Sequence, residues 1–126
     1  MIRDEIKHCM QARTEADNGR FSARFRFPAS FTGFQGHFPD NPTLPGLCIL
    51  QAVLVASETP RDTRAVLRKI VSAKFYAAIA PDSDLALEGA ASMTKDGDRL
   101  LKATLTNGTQ KTMARLTLLV RHEETP

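Results

Sequence analysis

Gly36-His37-Phe38-Pro39-Asp40-Asn41-Pro42-Thr43-Leu44-Pro45-Gly46 runs straight into Leu47-Cys48-Ile49-Leu50-Gln51-Ala52-Val53-Leu54-Val55-Ala56-Ser57. The first part is punctuated by Gly, Pro, Asp and Asn and reads as a loop. The second part is apolar almost all round. A helix that is hydrophobic on every side is buried on every side. The length of the run and its Pro45-Gly46 entry favour a helix over Leu44 to Ser57 rather than a strand. Asn41 or Thr43 can cap it, and Pro45 suits its first turn. A buried helix this early in the chain needs a sheet wrapped around it, or a sheet and a second subunit.

The rest of the chain supplies that sheet. Phe21, Ala23, Phe25 and Phe27 alternate with Arg20, Ser22, Arg24 and Arg26, the period of two of a strand with one buried face. Asp17-Asn18-Gly19 before it is a hairpin turn. Its partner strand falls around Lys7 to Thr14, a stretch that also reads as a short helix. Further strands are expected over Lys69 to Ala77, Asp84 to Met93, Leu100 to Thr106 and Thr112 to Arg121. Pro81-Asp82, Asp96-Gly97 and Asn107-Gly108 separate them, and the last three should form an antiparallel meander. Glu123 to Pro126 are expected to fray.

A chain of 126 residues favours a single domain, spanning 1-126. With 42% hydrophobic and 25% charged residues it has the composition of a soluble globular protein, and no apolar run is long enough for a membrane span. Met1-Ile2-Arg3-Asp4-Glu5-Ile6-Lys7 carries acids where a signal peptide would be apolar, so a cytoplasmic location is expected. Cys9 and Cys48 stand in unrelated contexts, suggesting neither a disulfide framework nor a metal site, and no cofactor is expected. A net charge of +3 is too mild to argue for nucleic acid. The basic residues Arg61, Arg64, Arg68, Lys69 and Lys74 form either a solvated face or a landing site for an acidic partner.

The loop and helix also carry chemistry. An imidazole titrates near neutral pH, and a helix N-terminus favours negative charge, so His37 and Gly46 together suit work beside a carbonyl. His8 and His122 read instead as surface or hydrogen-bonded histidines.

Gly36-His37-Phe38-Pro39, with Pro42, Leu44-Pro45-Gly46 and the apolar helix, resembles the first signature of the β-hydroxyacyl-acyl-carrier-protein dehydratases. Lys74-Phe75, Pro81 and Leu85-Ala86-Leu87-Glu88 resemble their second signature. The resemblance implies an α+β hot-dog fold, a curved antiparallel sheet around a central helix. It implies removal of water from 3-hydroxyacyl thioesters, leaving a trans-2-enoyl thioester. His37 would take the proton beside the thioester carbonyl and the Gly46 N–H would hold the developing oxyanion. Phe38, Leu47 and Leu50 would contact the acyl chain. It further implies an acyl carrier protein or coenzyme A thioester as substrate, and a homodimer or larger homo-oligomer whose active site spans two subunits. Neither nucleic acid nor membrane is expected as a partner.

Position 51 departs from the family pattern. Fourteen residues after the histidine, where the family places Glu or Asp to protonate the leaving hydroxyl, this chain has Gln51. A carboxamide can orient a hydroxyl or a water but has no useful acidic proton. Asp40 and Glu58 are nearby acids at the wrong spacing. The alternatives are a non-catalytic subunit that binds acyl thioesters, or a thioesterase using the same Gly46 N–H. Gln51 itself either faces substrate or is a buried amide satisfied by backbone.

Overall fold

The computed structural model describes residues 2–35, 42–58 and 63–124. His37, Phe38, Asp40, Asn41 and Arg61 lie outside these residues. The elements are α1 (Ile2–Cys9), β1 (Met10–Glu15), β2 (Arg20–Phe25), a single 3-10 turn (Thr32–Phe34), α2 (Gly46–Ser57), β3 (Thr63–Phe75), β4 (Leu85–Met93), β5 (Arg99–Asn107) and β6 (Thr112–Glu124). The six strands form one sheet in the order β1-β2-β4-β5-β6-β3, every pairing antiparallel. The expected meander is β4-β5-β6.

The period-two pattern of the strands determines which face receives α2. Phe21, Ala23 and Phe25 of β2 point into the core with Leu85 and Leu87 of β4. Leu101, Ala103 and Leu105 of β5 join them, with Leu116, Leu118 and Val120 of β6. In α2, Cys48, Ile49, Leu50 and every residue from Ala52 to Ser57 are buried. Burying a Leu, Ile or Val side chain is worth ~1.5–3 kcal/mol, so the helix is held mainly by its own apolar surface.

The ends of α2 are treated differently. At the C-terminal end, Arg13 Nε donates to the Ala56 carbonyl at 2.7 Å and Ser57 Oγ donates to the Leu54 carbonyl at 2.7 Å. Glu58 follows, only 7% exposed, ion-paired with Arg3 of α1 and accepting the Ala65 N–H of β3 at 2.7 Å. α1, α2 and β3 thus meet at one partly buried ion pair. The N-terminal end of α2 has no side-chain cap.

Several sequence expectations shift. The stretch around Lys7 to Thr14 holds both readings: a helix through Cys9, then a strand from Met10. In α1, Ile6 and Cys9 are buried, Asp4 and Glu5 lie in the first turn, and Lys7 and His8 in the last, complementing the helix dipole. α2 begins at Gly46 rather than Leu44, and Pro45 is its extended N-cap (φ −63°, ψ 146°) rather than part of the first turn. The third strand starts at Thr63 and ends at Phe75, not Lys69 to Ala77, because it pairs with β6 along nearly its whole length. That pairing also holds Glu123 and Glu124 in β6, where fraying was expected. Asp17-Asn18-Gly19 turns as expected, with Gly19 at φ 85°. After β5 the positive φ falls on Gln110, not Gly108, since the Asn107 side chain accepts from Thr109 and Lys111 in a longer turn.

Candidate active site

The start of α2 is the most open polar feature of the helix. Its first N–H groups have no partners a turn back, and Pro45 supplies no side chain to satisfy them. The Pro45 carbonyl is used further in, accepting from Cys48 N–H at 2.9 Å and Ile49 N–H at 3.2 Å. No hydrogen bond among the described residues uses the Gly46 N–H. Gly46 borders a cavity of about 400 Å³ whose lining includes Thr43, Ile49, Phe75, Tyr76 and Ala77. Two backbone bonds fix its walls: Leu44 N–H to the Ile79 carbonyl and Tyr76 N–H to the Met113 carbonyl, both 2.8 Å. A Cβ built on Gly46 would meet Phe75 Cζ at 3.0 Å, so glycine lets the strand end close over the helix start.

Of the substrate-contacting residues expected from sequence, Gly46 borders this cavity. Leu50 is 5% exposed and packs in the core. Leu47 is 69% exposed, so the helix is not buried all round. Gln51 follows Leu47 by four residues and shares its face. It is half-buried, and among the described residues nothing hydrogen-bonds its carboxamide.

No carboxylate among the described residues borders the cavity. Glu58 sits at the other end of α2, ~18 Å along the helix at 1.5 Å per residue, and is taken by Arg3, Ala65 and, at 3.9 Å, Lys7. It does not substitute for the missing acid. His8 is exposed and borders a separate cavity of about 430 Å³ with Glu5, Cys9 and Arg26. His122 is half-buried, with Nε2 3.2 Å from Ser57 Oγ. Burial pushes its pKa below the ordinary value, and Arg99 adds to this against smaller opposing effects of Ser57 and Glu58. Burial likewise pushes the Cys9 and Cys48 thiols up, with Glu5 adding, so both are inert core thiols.

Sequence reasoning did not assign a role to Tyr76. Its signal was available: it is the only tyrosine of the chain and directly follows the Lys74-Phe75 pair.

A buried helix inside a six-stranded antiparallel sheet, open at its N-terminus to a cavity, is the hot-dog fold. Solved structures share it. The dehydratase heterocomplex ApeI:P from Xenorhabdus doucetiae superposes with a TM-score of 0.72 at 19% identity, over 89% of this chain and 96% of that one. The Escherichia coli PaaI protein from the phenylacetic acid degradation operon gives 0.69 at 14% identity, over 95% and 88%. The family model for ApeI-like proteins, described as ApeI dehydratase, matches residues 12–116, and the chain belongs to that dehydratase family. It is also 30% identical over 116 residues to the 3-hydroxyacyl-[acyl-carrier-protein] dehydratase FabZ of Thermus thermophilus, covering 85% of this chain and 82% of the relative.

Proposed function

We propose that this protein removes water from 3-hydroxyacyl thioesters, with His37 as base and the Gly46 N–H as oxyanion donor. The observation that carries the proposal is the uncapped start of α2 opening at Gly46 onto a cavity, in a chain of a dehydratase family. Binding the thioester oxygen there stabilises the enolate-like charge that appears when the C2 proton leaves. The sequence places His37 nine residues before Gly46, in the loop that leads into the helix. Phe38 and the exposed Leu47 would flank the acyl chain, and the unbonded Gln51 carboxamide would orient the hydroxyl.

The working form proposed is a homodimer joined along β3. That strand is 13 residues long and lies at the sheet edge, with Ile70, Val71 and Phe75 each about half exposed. A long edge with apolar side chains invites pairing with another strand. A second copy would also cover the Leu47–Gln51 face of α2. The substrate carrier proposed is acyl carrier protein. Arg64, Arg68, Lys69 and Lys74 of β3 are exposed, and none is ion-paired among the described residues, which suits an acidic partner.

The test is steady-state turnover of 3-hydroxybutyryl thioesters on acyl carrier protein and on coenzyme A, following enoyl-thioester formation, with the oligomeric state measured in parallel. Enoyl product, with kcat/KM higher on the protein carrier, supports the proposal. Free-thiol release without enoyl product would make the protein a thioesterase, and binding without turnover would make it a non-catalytic subunit.

A further inference from the structure

Dehydration needs a proton for the departing hydroxyl, and the carboxamide at position 51 cannot supply one. The described lining of the Gly46 cavity contains one side chain that ionises, Tyr76; the others are Thr43, Gly46 and apolar residues. Tyr76 stands at the end of β3, where the preceding Phe75 ring lies against Gly46. Its backbone is pinned by the 2.8 Å bond to the Met113 carbonyl, while its side chain is 52% exposed. No hydrogen bond among the described residues uses its hydroxyl. A phenol is a much stronger acid than an aliphatic hydroxyl such as that of Thr43, and phenols serve as general acids.

From this placement we infer that Tyr76 is a catalytic residue that donates the proton to the leaving hydroxyl. This rests on the dehydratase reading above. As His37 takes the C2 proton, the electrons of that C–H bond form the C2=C3 double bond and the C3–O bond breaks. The departing oxygen takes the phenol proton and leaves as water. The imidazolium then returns its proton to the phenolate, directly or through solvent, and no oxidant or reductant is involved.

The experiment compares wild type, Tyr76→Phe, Gln51→Glu, the double variant and His37→Ala on trans-2-butenoyl and 3-hydroxybutyryl thioesters. Tyr76→Phe should lower kcat at least tenfold, in line with the ~10²–10⁴ a positioned acid contributes, with KM within about twofold. Its melting temperature should not change, because the lost hydroxyl has no hydrogen-bond partner among the described residues. Gln51→Glu should make Tyr76 dispensable, so that the double variant matches Gln51→Glu alone. If wild type turns over through His37 while Tyr76→Phe keeps wild-type kcat, this inference is wrong and the dehydratase reading stands. If wild type and His37→Ala are equally inactive, both fall together.

Discussion

The Phe75 ring lies against Gly46, with Cζ, Cε2 and Cε1 at 3.0, 3.2 and 3.4 Å from where a Cβ on that glycine would be. This contact joins the end of β3 to the start of α2 beside the cavity. Because Phe75 is 48% exposed, its ring can yield to a methyl group, so the contact governs the shape of the site more than the stability of the fold.

Gly46→Ala and Gly46→Pro therefore separate crowding from loss of the oxyanion donor. Alanine keeps the N–H and should chiefly raise KM. Proline removes the N–H, yet the first helical position accepts it, and Pro45 already holds the extended conformation a following proline requires. Gly46→Pro should lose a further ~10²–10³ in kcat, as expected for one oxyanion donor. Circular dichroism should show the helix retained.

Glu58→Ala leaves the part-buried Arg3 with only the Ala65 carbonyl and frees the Ala65 N–H. Losing a charged hydrogen-bond partner costs about 1.5–3 kcal/mol, which urea titration would read as a lower midpoint. Activity per folded molecule should be unchanged, because this carboxylate lies at the far end of the helix from Gly46. A selective loss of kcat would mean that Glu58 takes part in the chemistry after all.

His122 links stability to pH. Its folded-state pKa lies below the ordinary 6.5, so the unfolded chain takes up the proton first. The stabilisation from the neutral imidazole is present in full above 6.5 and is lost as pH falls from there through the folded-state value. Melting temperature measured across this acidic range should fall, and His122→Gln should flatten that part of the profile.

Much of this architecture was legible in the sequence because two signals were strong. The alternation of Phe21, Ala23 and Phe25 with polar neighbours announces a strand, though it ends at Phe25 rather than Phe27. The apolar run after Pro45-Gly46 announces the buried helix. Boundaries were harder. β3 extends back to Thr63 because β6 pairs with it there, a long-range cause that no local pattern carries. α1 was blurred because eight residues of helix run directly into a strand with no turn between them. At the site, Gly46 stands out in the sequence from its place at the helix start. An apolar helix does not show in sequence which of its side chains, Leu50 among them, face the core. Tyr76 became visible only when the end of β3 was brought beside Gly46.

We propose that a His37-dependent dehydration runs at this helix start without a carboxylate at position 51. The deciding measurement is the initial rate of enoyl-thioester formation from a 3-hydroxybutyryl thioester, for wild type and His37→Ala side by side. Wild type should turn over, with kcat lower by ~10²–10⁴ in the variant. Equal rates for the two proteins, whether both active or both no faster than buffer, would contradict it.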